Sequence, residues 1–105
     1  TKREESSMLA SALQEKVLAK LRTENPTLPN LGVKSAPFLV LLGAQTPSVL
    51  AELSFLSNPD AARLLKTDSY RELIAEGLLE GVLRYSKELK MEHKAAGSAQ
   101  PVEVN

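Results

Sequence analysis

The chain of 105 residues contains no cysteine, no tryptophan and a single histidine, His93. Without cysteine the chain can form neither a disulfide nor a thiolate metal site, but this absence leaves the cellular compartment open. One histidine is also too few for the imidazole ligands that a catalytic zinc ion usually has. We therefore expect no metal ligands in this chain.

Net charge and long apolar runs are also missing. Thirteen Lys and Arg residues balance thirteen Asp and Glu residues, which leaves no electrostatic footprint for nucleic acid or an anionic membrane surface. No apolar run approaches the roughly 18 residues that a membrane helix needs. We therefore expect neither a nucleic-acid partner nor a membrane span.

The length allows at most one small domain, which we place at residues 1–92. Helical periodicity fails past Met91, and the segment from Ala95 to Pro101 is dominated by small and polar residues. We expect residues 93–105 to form a flexible tail. The first residue is Thr, and we expect the natural N-terminus to lie upstream of it.

Three segments have helical signatures. Apolar residues recur three and four apart from Glu4 to about Thr23, which predicts an amphipathic helix, followed by a Pro- and Gly-containing surface loop over residues 25–32. Asn58 as N-cap and Pro59 at the first position predict a short helix to about Lys66. The spacing that begins at Ser69 is that of a capping box and opens a long final helix.

Two glycines lie on the apolar stripe of the final helix. Gly77 and Gly81 are one turn apart, and each costs about 1 kcal/mol of helix propensity relative to alanine. We expect close packing against a sheet to compensate for this cost. The alternative is a helix-pairing motif of the kind found in membrane helices.

Residues 37–42 and 48–53 are short and apolar on both faces, which predicts two strands of a sheet that is covered on both sides. The connector is too short for a parallel crossover, so the two strands would pair antiparallel. Two such strands cannot stand alone, because their outer edges would be unpaired. We therefore predict an α/β fold with a mixed sheet flanked by helices, present here as a helix-strand-strand-helix-helix C-terminal portion.

A lone carboxylate, Glu52, lies inside the second predicted strand and should be nearly buried. An ionised carboxylate is costly there unless it is paired, hydrogen-bonded or next to a metal. The ends of strands are also where ligands bind in open α/β sheets. The residues alone leave two interpretations open: a structural Glu in a helix-cap contact or in an ion pair with Lys34 or Arg63, and a functional Glu.

Three apolar pieces around Glu52 resemble a known enzyme family. They read Phe-Leu-Val-Leu at residues 38–41, Pro-Ser-Val-Leu-Ala-Glu-Leu at residues 47–53 and Phe-Leu-Ser-Asn-Pro at residues 55–59. In this order and spacing they resemble the C-terminal part of the zinc-dependent N-acetylmuramoyl-L-alanine amidases. The resemblance extends from about Ser6 to Tyr85. These enzymes are cell-wall hydrolases of the kind that split daughter cells or germinate spores.

The resemblance implies zinc-dependent hydrolysis of the amide bond between N-acetylmuramic acid and L-alanine in peptidoglycan, by a periplasmic or secreted protein of the cell envelope. It implies that Glu52 is the catalytic acid/base that acts on a zinc-bound water. The zinc ligands of the family, two histidines and a glutamate, would all precede Thr1. We expect the chain alone to be inactive, with peptidoglycan and the missing N-terminal half, possibly as a separate chain, as its partners.

The sequence also allows two hypotheses other than an active amidase. Ser54 stands where the family usually has Gly, and Leu42 stands where Arg is common. The chain could be a non-catalytic domain of the same fold that binds cell wall or a protein partner. It could also be an unrelated small α/β interaction module in which Glu52 is structural.

The remaining polar candidates have ordinary explanations. Helical spacing indicates that Tyr70 and Tyr85 are core or boundary residues, and His93, in a polar region past the last helix, is expected to face solvent. Ser48 and Ser57 have no nearby histidine to activate them, so serine hydrolase chemistry is not supported.

Overall fold

The structure, a computed structural model, describes residues 1–35, 39–53 and 59–99. The described residues form four helices and no strand. The helices are α1 (Lys2–Leu21), α2 (Leu39–Leu42), α3 (Pro59–Leu65) and α4 (Asp68–Ala99).

The first predicted helix is confirmed as α1, which begins in a capping box. The Thr1 hydroxyl accepts a hydrogen bond from the backbone N–H of Glu4 at 3.2 Å, and the Glu4 carboxylate accepts one from the Thr1 amino group at 2.8 Å. These two reciprocal hydrogen bonds stabilise the start of the helix. The predicted loop follows, and Gly32 has the left-handed backbone angle (φ 78°) that glycine accepts without strain.

The two later helices are also present. The short helix that begins at Pro59 is confirmed as α3, while its predicted cap, Asn58, lies outside the described residues. The cap of α4 is Thr67 and not Ser69, because the Thr67 hydroxyl accepts from the Tyr70 N–H at 3.3 Å. Helix α4 runs to Ala99, so the described part of the predicted tail is helical, and its flexibility stays a prediction.

The core lies where α1 and α4 pack side by side. Leu21, Tyr70 and Ile74 form its buried centre, and Tyr70 is only 2% exposed. This confirms Tyr70 as a core residue. Helix α3 and the loop after α1 contribute further apolar contacts around the same centre.

Gly77 and Gly81 pack against α1 and not against a sheet, which corrects the prediction. A Cβ atom added at Gly77 would lie 2.6 Å from the Val17 Cα, and one added at Gly81 would lie 2.7 Å from the Leu13 Cα. The two helices therefore approach backbone to backbone. The helix-pairing alternative describes this contact.

The predicted α/β fold is wrong for the described residues. Residues 39–42 form the single helical turn α2, and residues 43–53 are irregular. A strand that is apolar on both faces needs neighbouring strands for its backbone hydrogen bonds, and the part of the chain that the structure describes supplies none. Local bonds form instead, such as that from the Ala44 N–H to the Leu41 carbonyl at 3.1 Å.

Candidate functional site

Glu52 lies near the end of the irregular segment 43–53, and its side chain is exposed. The prediction that it is nearly buried in a strand is therefore wrong. The reason is that the described residues form no sheet: Leu50 and Leu53 are 44% and 46% exposed, so no apolar layer from residues 1–35, 39–53 or 59–99 covers this part of the chain. An exposed carboxylate is solvated by water and needs no ion pair to be tolerated.

The structural alternative for Glu52 finds no support in the described residues. Within residues 1–35, 39–53 and 59–99, no ion pair joins Glu52 to Lys34 or Arg63. Two surface grooves, of about 370 Å³ and about 560 Å³, run along α1, and Glu52 lines neither of them. Glu52 is therefore an exposed carboxylate outside both grooves.

The segment that carries Glu52 is tied to the first turns of α1. The Ser48 N–H donates to the Ser6 Oγ at 3.0 Å in a partly buried hydrogen bond. The ammonium group of Lys2 donates to the carbonyl of Ala44. Sequence reasoning missed both contacts, because they join residues 42 positions apart and no local pattern marks them.

Other carboxylates of the described chain are engaged in ion pairs, and those of Glu15, Glu76 and Glu80 pair across α1 and α4. Lys20 lies 3.1 Å from Glu80 and 3.6 Å from Glu76. Arg84 pairs with Glu15 and, at 2.9 Å, with Glu88. The hydrogen bond and the positive charge of Arg84 hold the pKa of Glu15 below its ordinary value. Each of these four carboxylates therefore has a cationic partner in the helical pair.

Tyr85 lies on α4 and is half-buried, as expected for a boundary residue. Its hydroxyl is buried and has no hydrogen-bond partner among the described residues. Burial raises the pKa of the Tyr85 hydroxyl, and the negative charges of Glu5 and Glu92 raise it further. A raised pKa disfavours the phenolate, which is the nucleophilic form of this side chain.

The residues present do not fit a zinc site. No group of three or more His, Cys, Asp or Glu side chains is placed to hold a metal ion within the described ranges. His93 is exposed, as predicted, but it lies within α4 and not beyond the last helix. Chemistry that needs zinc would therefore require ligands from other residues.

Comparison with known protein families places the chain in one of them. The family model described as N-acetylmuramoyl-L-alanine amidase matches residues 1–84, which include Glu52. The chain belongs to this family.

Individual relatives agree with the family assignment. An uncharacterized protein of Bacillus subtilis, YqiI, is 35% identical over 78% of this chain and 37% of its own length. The endolysin of Bacillus phage SPP1 is 35% identical over 90% of this chain and 35% of its own length. The N-acetylmuramoyl-L-alanine amidase AmiA of Escherichia coli is 43% identical over 55% of this chain and 20% of its own length.

The chain thus spans well under half the length of the curated relatives it matches. No solved structure matches it. None of the helices in the described ranges combines the length and the apolar character that crossing a membrane requires.

Proposed function

We propose that this chain is the C-terminal portion of a zinc-dependent amidase domain. The complete domain would hydrolyse the amide bond between N-acetylmuramic acid and L-alanine in peptidoglycan. The observation that carries this proposal is the family match over residues 1–84, which includes the motif around Glu52. Such a substrate would place the protein in the periplasm or outside the cell, where it would serve in cell-wall turnover such as daughter-cell separation.

Glu52 is the residue of this chain that we propose for the chemistry. Its carboxylate is exposed and makes no ion pair with Lys34 or Arg63, so it is accessible to a substrate. A positioned carboxylate can accept the proton of the attacking water and return it to the departing amine of L-alanine. The amide bond breaks, and a carboxylic acid and the free amine are formed.

A zinc ion in a hydrolase supplies Lewis-acid polarisation of the reacting carbonyl. Because the described residues do not fit a zinc site, we assign zinc binding to the N-terminal half of the domain. That half is the partner we propose for this chain, either in the same polypeptide or as a separate chain. In this proposal the present residues complete the fold and supply the carboxylate of Glu52.

An exposed apolar surface supports the proposal of a missing partner. Leu79, Val82 and Leu83 recur three and four residues apart on α4 and are 59%, 47% and 59% exposed; we call them the outer stripe. The radius of gyration is 17.2 Å, whereas a compact domain of this length has about 13 Å. A further layer packed on the outer stripe would remove this apolar surface from water.

The role of Glu52 is tested in a chimera in which this chain replaces the matching part of the phage SPP1 endolysin. We expect Glu52→Gln to lower kcat for release of L-alanine amino termini from peptidoglycan by about 100-fold or more, because a general acid–base group contributes 10²–10⁴-fold. Glu72→Gln, which alters an exposed carboxylate of α4, serves as the control and should leave the rate unchanged.

Two outcomes of this experiment would contradict the proposal. A Glu52→Gln chimera with full activity would remove Glu52 from the chemistry. A folded chimera that sediments with peptidoglycan but releases no new amino termini would instead favour a non-catalytic domain that binds cell wall.

A further inference from the structure

We propose that Ser6, assisted by Lys2, is a positioning residue for Glu52. The inference rests on the proposed function, because it concerns how the catalytic carboxylate is held. We call the two contacts, Ser6 with Ser48 and Lys2 with Ala44, the α1 anchor. The anchor fixes the start of the segment whose end carries Glu52.

The geometry of the anchor carries the inference. The Ser48 N–H donates to the Ser6 Oγ at 3.0 Å, and this hydrogen bond is partly buried. Partial burial shields it from competing water, so it holds the backbone more strongly than an exposed contact would. The Lys2 ammonium adds a charge-assisted bond to the Ala44 carbonyl, but this contact is exposed and therefore weaker.

The segment depends on such a contact because residues 43–53 form neither a helix nor a strand that would hold their backbone. Residues 43–53 are irregular, and residues 50–53 are exposed. Glu52 follows Ser48 by four residues, so its Cα lies at most about 14 Å from the anchored position. Releasing Ser48 would allow Glu52 to move away from a reacting atom, and a displacement of about 1 Å can cost about 100-fold in rate.

Helix stability does not explain Ser6. A serine inside a helix is a poorer helix former than alanine, and its hydroxyl competes for backbone hydrogen bonds. Ser6→Ala should therefore preserve or increase the stability of α1 while it frees the Ser48 N–H. In Ser6→Ala, a purely structural role would predict a less stable α1, whereas a positioning role predicts a stable α1 with a released Ser48 N–H.

The first test measures amide hydrogen exchange at Ser48 by NMR in the 105-residue chain. We expect Ser6→Ala to accelerate Ser48 exchange several-fold, which corresponds to the loss of one hydrogen bond, with the helix content of α1 retained. Ser6→Thr keeps the hydroxyl and should restore the wild-type rate. Ser7→Ala, at the adjacent exposed position, is the matched control and should leave Ser48 exchange unchanged.

The second test measures kcat and KM in the endolysin chimera described above. Ser6→Ala should lower kcat by about 10-fold to 100-fold with KM nearly unchanged, because the proton transfer by Glu52 matters in the transition state and not in substrate binding. Ser6→Thr should rescue kcat. The Ser7→Ala chimera should have the kinetic constants of the unmodified chimera.

The results distinguish this inference from the proposed function. Unchanged Ser48 exchange in Ser6→Ala would overturn the anchor itself, and faster exchange with unchanged kcat would overturn its positioning role. A fully active Glu52→Gln chimera would overturn the proposed function, and with it the reason for positioning Glu52, even if the Ser48 exchange data showed the anchor to be present.

Discussion

Glu52 is an exposed carboxylate, so its occurrence at this position needs no ion pair or metal to offset burial. In a covered strand the carboxylate of Glu52 would be costly and would require a partner or a metal. The structure places it in exposed, irregular backbone, where water solvates the charge. The case for its function therefore rests on the family match over residues 1–84 and not on desolvation.

The ion pair of Glu15 with Arg84 joins α1 to α4 and predicts a pH dependence of stability. Arg84 lowers the pKa of Glu15 below its ordinary value of 4.5. The pair therefore stabilises the chain above that value, and this stabilisation is lost as the pH falls through the lowered pKa. We expect Glu15→Gln to flatten the decrease of the free energy of unfolding across this acidic range, measured by urea denaturation at several pH values.

Glu72→Gln is the control for the acid titration, because it removes an exposed carboxylate for which no contact with Arg84 exists among the described residues. It should keep the wild-type pH dependence. Equal slopes for Glu15→Gln and wild type would show that the ion pair with Arg84 does not form in solution.

At the scale of the elements, the pairing of α1 with α4 is the contact that orders the described chain. It places Leu21 against Tyr70 and Ile74, and the two helix glycines allow the close approach that this requires. An alanine at either position would gain about 1 kcal/mol of helix propensity. The added Cβ would meet backbone atoms of α1, which cannot rotate away as a side chain can.

We therefore expect Gly81→Ala to lower the free energy of unfolding by about 1 kcal/mol or more, because overpacking against the Leu13 backbone outweighs the gain in propensity. Urea denaturation followed by circular dichroism measures this change. Gly43→Ala is the control: no atom lies within 4 Å of an added Cβ there, and its effect should stay within about 0.5 kcal/mol. A stabilised Gly81→Ala variant would contradict the close crossing.

At the scale of the whole molecule, the outer stripe on α4 is not covered by any of the residues that the structure describes. Five buried apolar residues form the core, while eleven large apolar side chains are exposed in the described ranges. Such a balance is unusual for a self-sufficient domain. It supports the proposal that another part of an amidase domain packs here.

If the outer stripe is a packing surface, Val82→Ser should affect the stability of the isolated chain less than that of the endolysin chimera. Val82→Ser should change the free energy of unfolding of the isolated chain by no more than about 0.5 kcal/mol, because Val82 is already 47% exposed. In the endolysin chimera it should destabilise by about 1 kcal/mol or more, because a hydroxyl would enter a covered apolar layer. Denaturant unfolding of both proteins measures the difference.

Lys87→Ser, on an exposed position of the same helix, is the control and should have a small effect in both proteins. If Val82→Ser were equally mild in the chimera, the outer stripe would not be a packing surface for the rest of the domain.

Local signals in the chain predicted α1, α3 and α4, because three-and-four spacing and capping residues act within a few turns of one helix. Residue patterns around Glu52 also indicated the family, which the comparison confirmed. The predicted strands failed because strand formation depends on hydrogen-bonding partners, and those partners are not among the described residues. A strand-like pattern alone could not reveal this.

Only the tertiary structure shows where α1 and α4 cross and that Ser6 contacts Ser48. Gly77 could be recognised as a site of close packing from its cost to the helix, but the surface it contacts, Val17, is 60 positions away in the chain. Helix formation depends on residues that are close together in the sequence, whereas contacts between distant residues depend on how the whole chain packs. Amino-acid order therefore determined the helices and the family, and packing determined the neighbours of each glycine and the setting of Glu52.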